Sequence, residues 1–321
     1  MRLVTFENGG EDRVGAWQGN IIIDIGLAID WLRGGTLRAE PRAELRKAVD
    51  TVMAGGASPR HMIDLLERGE AWRRALGDIL ETVTASPEAL RFPQGVSTPL
   101  EKVRLRAPIG RPGKIVCVGL NYASHRAEQG IQSPARPIFF LKSSNTICGP
   151  GDAITLPPNS TEVDYEAEFA VVIGKRGKSI QEEKVFEHIA GYTILNDVSA
   201  RDMQFADGQW FRGKSCDTFG PTGPCIVTEE KISDPHSLRI ALELNGRTMQ
   251  DSNTRDLIFK IPFLVSYLSQ SLTWEAGDLL STGTPGGVGY YRKPPVYLKP
   301  GDTVSVTVEG IGTLSNPVVG P

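Results

Sequence analysis

Beyond residue 110 the apolar positions fall into runs of three to eight residues broken by Pro, Gly and polar turns, the texture of strands rather than of long helices. Strands are predicted for Lys114 to Leu120, Lys142 to Ile147, Ile154 to Leu156, Glu166 to Ile173, Gly191 to Leu195, Cys225 to Val227, Leu238 to Leu244, Leu279 to Ser281, Thr303 to Val308 and Thr313 to Val318. Asn245-Gly246 marks a two-residue hairpin. Before residue 100 the pattern changes. Leu3 to Phe6 and Gly15 to Ile25 read as strands, an apolar run follows at Ile29 to Leu32, and amphipathic helices are expected near 40–54, 59–68 and 70–84. Ser86 to Lys114, with Pro87, Pro93, Pro99, Pro108 and Pro112, reads as a linker. The expected class is α+β and predominantly β. A β-roll or barrel-like body spans 106–321, after a smaller N-terminal α+β domain and its linker over 1–105 that helps assembly or covers the active site.

Two acids interrupt this pattern, Glu166 and Glu168, in the run Tyr165 to Ile173. Positions two apart on a strand share a face. Either that face is wet, as antiparallel sheets often allow, or a cation sits between the carboxylates. The strand ending at Leu195 runs into Asn196-Asp197 and then a predicted helix, Val198 to Phe205. Asp197 there is equally an N-cap or a third acidic ligand. Arg201 and Gln204 follow at plus four and plus seven, one helical face, and form with Asp197 a site for an anionic, oxygen-rich ligand. Three carboxylates without His or Cys are a hard, all-oxygen set that favours Mg²⁺, Mn²⁺ or Ca²⁺ over zinc.

The predicted strand Lys114 to Leu120 empties into a helical turn where His125 and Glu128 stand three apart. They are a solvated surface pair or a base dyad, the carboxylate orienting the imidazole. The chain has only four His, and the other three lie in stretches without partners. The four Cys, at 117, 148, 216 and 225, have no Cys-x-x-Cys spacing and are expected as reduced thiols. Ser215 and Cys216 lack a local base to activate them as nucleophiles. Gly286-Gly287 is not a phosphate loop, and close backbone approach to a small ligand explains it better.

Five ordered motifs carry a family resemblance: Asn121-Tyr122-x-x-His125-x-x-Glu128, Asp164-Tyr165-Glu166-Ala167-Glu168, Asn196-Asp197-x-x-Ala200-Arg201-Asp202-x-Gln204, Gly213-Lys214-Ser215 and Ser281 to Gly289. Over roughly residues 110 to 315 the chain resembles the fumarylacetoacetate hydrolase superfamily. The resemblance implies a mixed β-roll or sandwich catalytic domain and a Mg²⁺ or Mn²⁺ cofactor on Glu166, Glu168 and Asp197. It implies a water-activating dyad of His125 and Glu128, Lys214 as oxyanion stabiliser, and Arg201, Gln204, Thr284 and Tyr122 as substrate contacts. No acid in Val116 to Leu120 matches the additional metal ligand of the longer eukaryotic-type enzymes, so the chain is more similar to the shorter, mostly bacterial branch.

The expected reaction is metal-dependent hydrolysis of the C–C bond of a 2,4-dioxo acid of acylpyruvate or fumarylpyruvate type, as in catabolism of aromatic or sugar-derived acids. The alternative is isomerisation of 2-hydroxymuconate-like diacids or decarboxylation of oxaloacetate through the same enolate chemistry. Arg126 and Arg136 flank a predicted lid, Tyr122 to Gly130, and are solvated charges or receivers of a second substrate carboxylate. Composition fits an ordinary cytoplasmic enzyme, expected as a homodimer: 40% hydrophobic, 23% charged, net charge −3. There is no basic stripe for nucleic acid, no secretory start and no membrane-length apolar run.

Overall fold

The computed structural model describes residues 1–34, 43–53, 56–68, 71–85, 95–132 and 135–321. The first residues expected in the 40–54 helix, and Pro87 and Pro93 of the expected linker, lie outside the described residues.

β1 (Arg2–Asn8), β2 (Glu11–Gln18) and β3 (Ile21–Asp24) form a meander. The single strand expected over Gly15 to Ile25 is thus two, split at Gly19-Asn20, where Gly19 takes a φ of 57°. α1 (Ile25–Arg33) follows directly, its first turn held by the Leu27 N–H donating to Asp24 Oδ1 at 2.8 Å. Ile29 and Leu32 are therefore the buried face of a helix. α2 (Ala43–Val52), α3 (Met62–Leu66) and α4 (Trp72–Ala85) complete a helical layer. The described part of the Pro-rich stretch is built into the sheet: β4 (Ser97–Pro99) pairs with β3, and β5 (Leu105–Arg106) with β1.

The chain continues through β6 (Ile115–Gly119), α5 (Ala123–Gln129), β7 (Ile138–Lys142), β8 (Ile147–Cys148), β9 (Ile154–Thr155), β10 (Val163–Asp164) and β11 (Ala167–Ile173). The run expected at Lys142 to Ile147 lies one strand too late; the apolar stretch Ile138 to Leu141 is the strand and Lys142 ends it. Next come β12 (Ile189–Asn196), β13 (Ser199–Ala200), α6 (Arg201–Ala206), α7 (Phe211–Lys214) and β14 (Gly220–Thr228). β15 (Arg239–Leu244), β16 (Arg247–Asn253), α8 (Ile261–Ser269), β17 (Leu279–Ser281), β18 (Thr303–Val308) and β19 (Gly312–Val319) finish it. Asn245 and Gly246, both at positive φ, close the β15–β16 hairpin as expected.

Strand outweighs helix, as expected for a predominantly β α+β chain. The central sheet has the order β4-β3-β2-β1-β14-β12-β11-β17-β6-β7, with β5 and β8 as side pairs, and a five-stranded sheet runs β16-β15-β18-β19-β9. Alternation along the central strands feeds two cores. Phe169, Val171 and Ile173 of β11 join the cluster shared with β15, β18 and β19; Ala170 and Val172 join the cluster under α1, α2 and α4. With both faces covered, an acid on β11 near the sheet's middle has no water to stand in. Among the described residues no helix is long and apolar enough to cross a membrane.

Candidate active site and metal centre

Antiparallel register brings the acids together. β11 pairs with β12 so that Ala167 faces Asn196, placing Glu166 beside Asp197 where the two strands meet their loops. The Asn196 side chain accepts the Glu166 N–H at 3.0 Å, and the Asp197 N–H donates to the Glu166 carbonyl at 2.9 Å. Glu166, Glu168 and Asp197 each offer a carboxylate oxygen within 4.8 Å of the others. Glu166 is 4% exposed, Glu168 1% and Asp197 0%, which rules out the wet-face reading.

Three buried cations interleave with these acids. Lys214, from α7, donates to Glu166 Oε2 and Asp197 Oδ2, both at 2.7 Å. Lys142, at the end of β7, donates to Asp197 Oδ1 at 2.7 Å and to the Val198 carbonyl at 3.1 Å. Arg201 grips Asp164 Oδ2 through Nε (2.9 Å) and Nη2 (2.8 Å), reaches Glu166 Oε1 at 2.6 Å, and donates from Nη1 to Gln204 Oε1 at 3.0 Å. Among the described residues no cation bonds Glu168, which accepts from the Ser281 hydroxyl at 2.5 Å and the Gly283 N–H at 3.1 Å.

Burial, with the neighbouring charges of Asp197 and Glu166, pushes the Glu168 carboxyl well above the usual carboxylate range. For Glu166 burial acts the same way, but Lys214 and Arg201 outweigh it and hold the carboxyl below that range. Burial opposes the Lys214 ammonium, and Asp197 and Glu166 more than offset this, raising it. Four buried carboxylates, Asp164 included, thus face three buried cations, and the uncompensated charge lies at Glu168. A hard divalent cation held by Glu166, Glu168 and Asp197 fits both that deficit and the all-oxygen donors.

The base stands opposite. His125 on α5 bonds Glu128 Oε1 through Nδ1 at 2.7 Å, and its Nε2 meets the Gln129 amide at 2.8 Å. A carboxylate can only accept, so Nδ1 carries the proton and Nε2 keeps its lone pair. The glycine loop after β17 anchors this arrangement. Gly286 N–H donates to Ser124 Oγ (3.1 Å), Gly287 N–H to Glu128 Oε2 (2.8 Å), and Gly289 and Tyr290 N–H to the two oxygens of Asp164 (2.7 and 3.0 Å). The close backbone approach expected for a ligand is thus made to the site's own carboxylates. Gly287 needs to be glycine: its φ is 102°, and a Cβ there would stand 2.3 Å from the Met249 carbonyl oxygen.

A cavity of about 40 Å³ lies between base and acids, its wall including His125, Glu166, Glu168, Arg201, Gln204, Lys214 and Thr284. Thr284 accepts from Gln250 Nε2 at 2.8 Å. Phe140, Phe205, Trp210 and Tyr291 close its sides, Trp210 edge-on to Phe140 at 5.2 Å. Gly119 makes room for that indole, since a Cβ would meet it at 2.6 Å.

Tyr122 is the expected contact that does not line this cavity; its ring is fully buried and its backbone bridges to Leu257. Asp197 is neither an N-cap nor on the helical face of Arg201 and Gln204. Ser199-Ala200 pair with β10, the helix begins at Arg201, and Ala200 occupies the cap position. The convergence expected from helical spacing comes instead from sheet register. Lys142, Gln129 and the clamping role of Asp164 were not anticipated. The available signals were a lysine closing an apolar strand and an acid leading the Glu166 motif.

Residues 114–319 match the family model described as fumarylacetoacetate (FAA) hydrolase, C-terminal. The chain is 47% identical over 268 residues to the mitochondrial oxaloacetate tautomerase of Rattus norvegicus, covering 82% of this chain and 81% of that protein. The crystal structure of 2-hydroxyhepta-2,4-diene-1,7-dioate isomerase from Mycobacterium marinum is 34% identical, with a TM-score of 0.70 over 100% of this chain and 98% of that one. Maleylpyruvate hydrolase from Sphingobium sp. SYK-6, crystallised with manganese(II) and pyruvate, is 30% identical, with a TM-score of 0.71 over 100% and 99%. A match over most of the strand-rich body, around a buried acid cluster with a facing histidine dyad, makes this chain a member of the fumarylacetoacetate hydrolase family.

Proposed function

We propose that the protein interconverts the enol and keto forms of a short 2-oxo dicarboxylate, with oxaloacetate the first candidate. The observation that supports this most directly is the geometry of one imidazole, with its Nε2 lone pair at the cavity, facing a cluster of buried cations and acids. Tautomerisation moves one proton between the C2 oxygen and C3 and needs no second reactant.

Arg201 and Gln204 hold the C1 carboxylate end, and Lys214 stands by the C2 oxygen where enolate charge develops. His125 Nε2 takes the proton from C3 and delivers it to the C2 oxygen, or carries it the other way, and Glu128 stabilises the imidazolium in between. Mg²⁺ or Mn²⁺ on Glu166, Glu168 and Asp197 would supply Lewis-acid neutralisation of the enolate. Relatives named oxaloacetate tautomerase and diene-dioate isomerase favour this reading. Decay of enol-oxaloacetate absorbance and exchange of C3 hydrogens in D₂O test it. Rates no faster than those of Mg²⁺ alone would end it.

Hydrolysis of a 2,4-dioxo acid is the second reading, favoured by similarity to the Sphingobium hydrolase. It requires oxygen from solvent in the product acid, so ¹⁸O-labelled water separates the two. Release of CO₂ from oxaloacetate would instead identify decarboxylation.

A further inference from the structure

A dicarboxylate needs a donor for its second carboxylate, and the cations of the cavity wall are already committed. Besides their bonds to Asp164, Glu166 and Asp197, Arg201 serves the first carboxylate together with Gln204, and Lys214 serves the C2 oxygen. The two arginines near α5 do not serve: Arg136 is exposed, Arg126 is buried, and neither lines the cavity. What stands at the far side is an amide. Gln129, one helical turn after His125, lines the cavity and directs its Nε2 to His125 Nε2 at 2.8 Å.

The geometry points to Gln129 as the residue that selects a dicarboxylate, its side-chain amide binding the carboxylate next to the reacting carbon. Its present hydrogen bond covers the lone pair that must take the C3 proton, so a substrate that engages His125 displaces the amide. In oxaloacetate the C4 carboxylate is one bond beyond C3. The displaced N–H₂ then has an acceptor within a side-chain rotation of where it stood. One exchange uncovers the base and recognises the second carboxylate together. A 2-oxo acid with an apolar tail would uncover the base but leave the amide without an acceptor, which is costly in a half-buried site. A neutral donor also suits the charge balance: with a divalent ion added, the cluster of four carboxylates and three cations is positive by one, and a further cation would bind product dianions too firmly.

This selectivity rests on reading the site as one for short 2-oxo acids, and binding of unreactive analogues tests it apart from turnover. Malate (each enantiomer) and lactate differ only in the second carboxylate, and calorimetric titration into the Mg²⁺-loaded protein gives their ratio of dissociation constants. The unaltered protein should prefer malate. Gln129→Leu should cut that preference about tenfold, and Gln129→Glu further, because it sets a carboxylate against a carboxylate. A side chain at the half-buried end of α5 is replaceable without unfolding, and circular dichroism confirms each variant. A ratio within twofold of the original in both variants, or no preference for malate at the outset, overturns the assignment. If the ratio moves but oxaloacetate is not tautomerised, the dicarboxylate subsite stands and the proposed reaction falls; the reverse result removes the subsite alone.

Discussion

Glu168 carries the charge imbalance of the site in a single side chain. Its carboxyl is held well above the usual range, so the folded protein keeps a proton that the unfolded chain releases near its ordinary value of 4.5. The stability this contributes is complete below that value and is lost as pH rises through the raised one. Glu166, held low, behaves oppositely and is lost on acidification. Metal-free protein should therefore melt at falling temperature from weakly acid to alkaline pH. Glu168→Gln should flatten that slope, gaining about 2 to 4 °C for each kcal/mol relieved; scanning calorimetry with a chelator present checks it. His125→Ala should lower turnover by ~10² to 10⁴ and leave metal affinity nearly unchanged, since no acid of the trio bonds the imidazole. Steady-state kinetics beside a metal titration would show whether both halves hold. The acids were legible because carboxylates inside an apolar run demand an explanation. Lys142 and Gln129 were not, because a lysine closing a strand usually snorkels to water and a glutamine ending a helix is commonplace.

At the level of elements, the glycine loop does more than any helix to fix the site. Its N–H groups hold Glu168, Glu128 and Asp164, one carboxylate from each part of the constellation. Gly287→Ala forces a positive φ on a Cβ and a clash with Met249, so the Glu128 contact should be lost while the sheet stays intact. A displacement of about 1 Å at a catalytic group costs up to ~10² in rate. We expect a fall of that order in kcat with an unchanged far-ultraviolet spectrum. Turn chemistry such as Asn245-Gly246 was readable because two positive φ values demand those residues. The segment after Asp197 was not. Val198 to Phe205 has helical spacing, yet its first residues pair with β10, a tertiary contact that local pattern does not encode.

For the whole molecule, a divalent ion on Glu166, Glu168 and Asp197 would be both cofactor and structural link, because these groups come from β11 and the loops beside β11 and β12. Chelator should abolish activity and lower the melting temperature, and Mg²⁺ or Mn²⁺ should restore both, with ~2.7 kcal/mol expected at a hundred times the dissociation constant. Failure of the melting temperature to respond would mean that the folded protein holds no such ion. The sheet is continuous from the N-terminal strands into the strand-rich body: Arg2 and Leu3 of β1 pair with Val227 and Ile226 of β14. No local pattern could reveal that pairing, since its partners are more than two hundred positions apart. It has a consequence in time. At roughly 5 to 20 residues per second a ribosome needs about ten to forty-five seconds to carry synthesis from β1 to β14. Throughout that interval the Arg2–Leu3 end of β1 is an open edge, since β5 covers only Thr5 and Phe6, and it is exposed to any strand that offers itself. Fast growth in the cold or an overloaded chaperone supply should therefore reduce the yield of folded protein through this one late-closing seam.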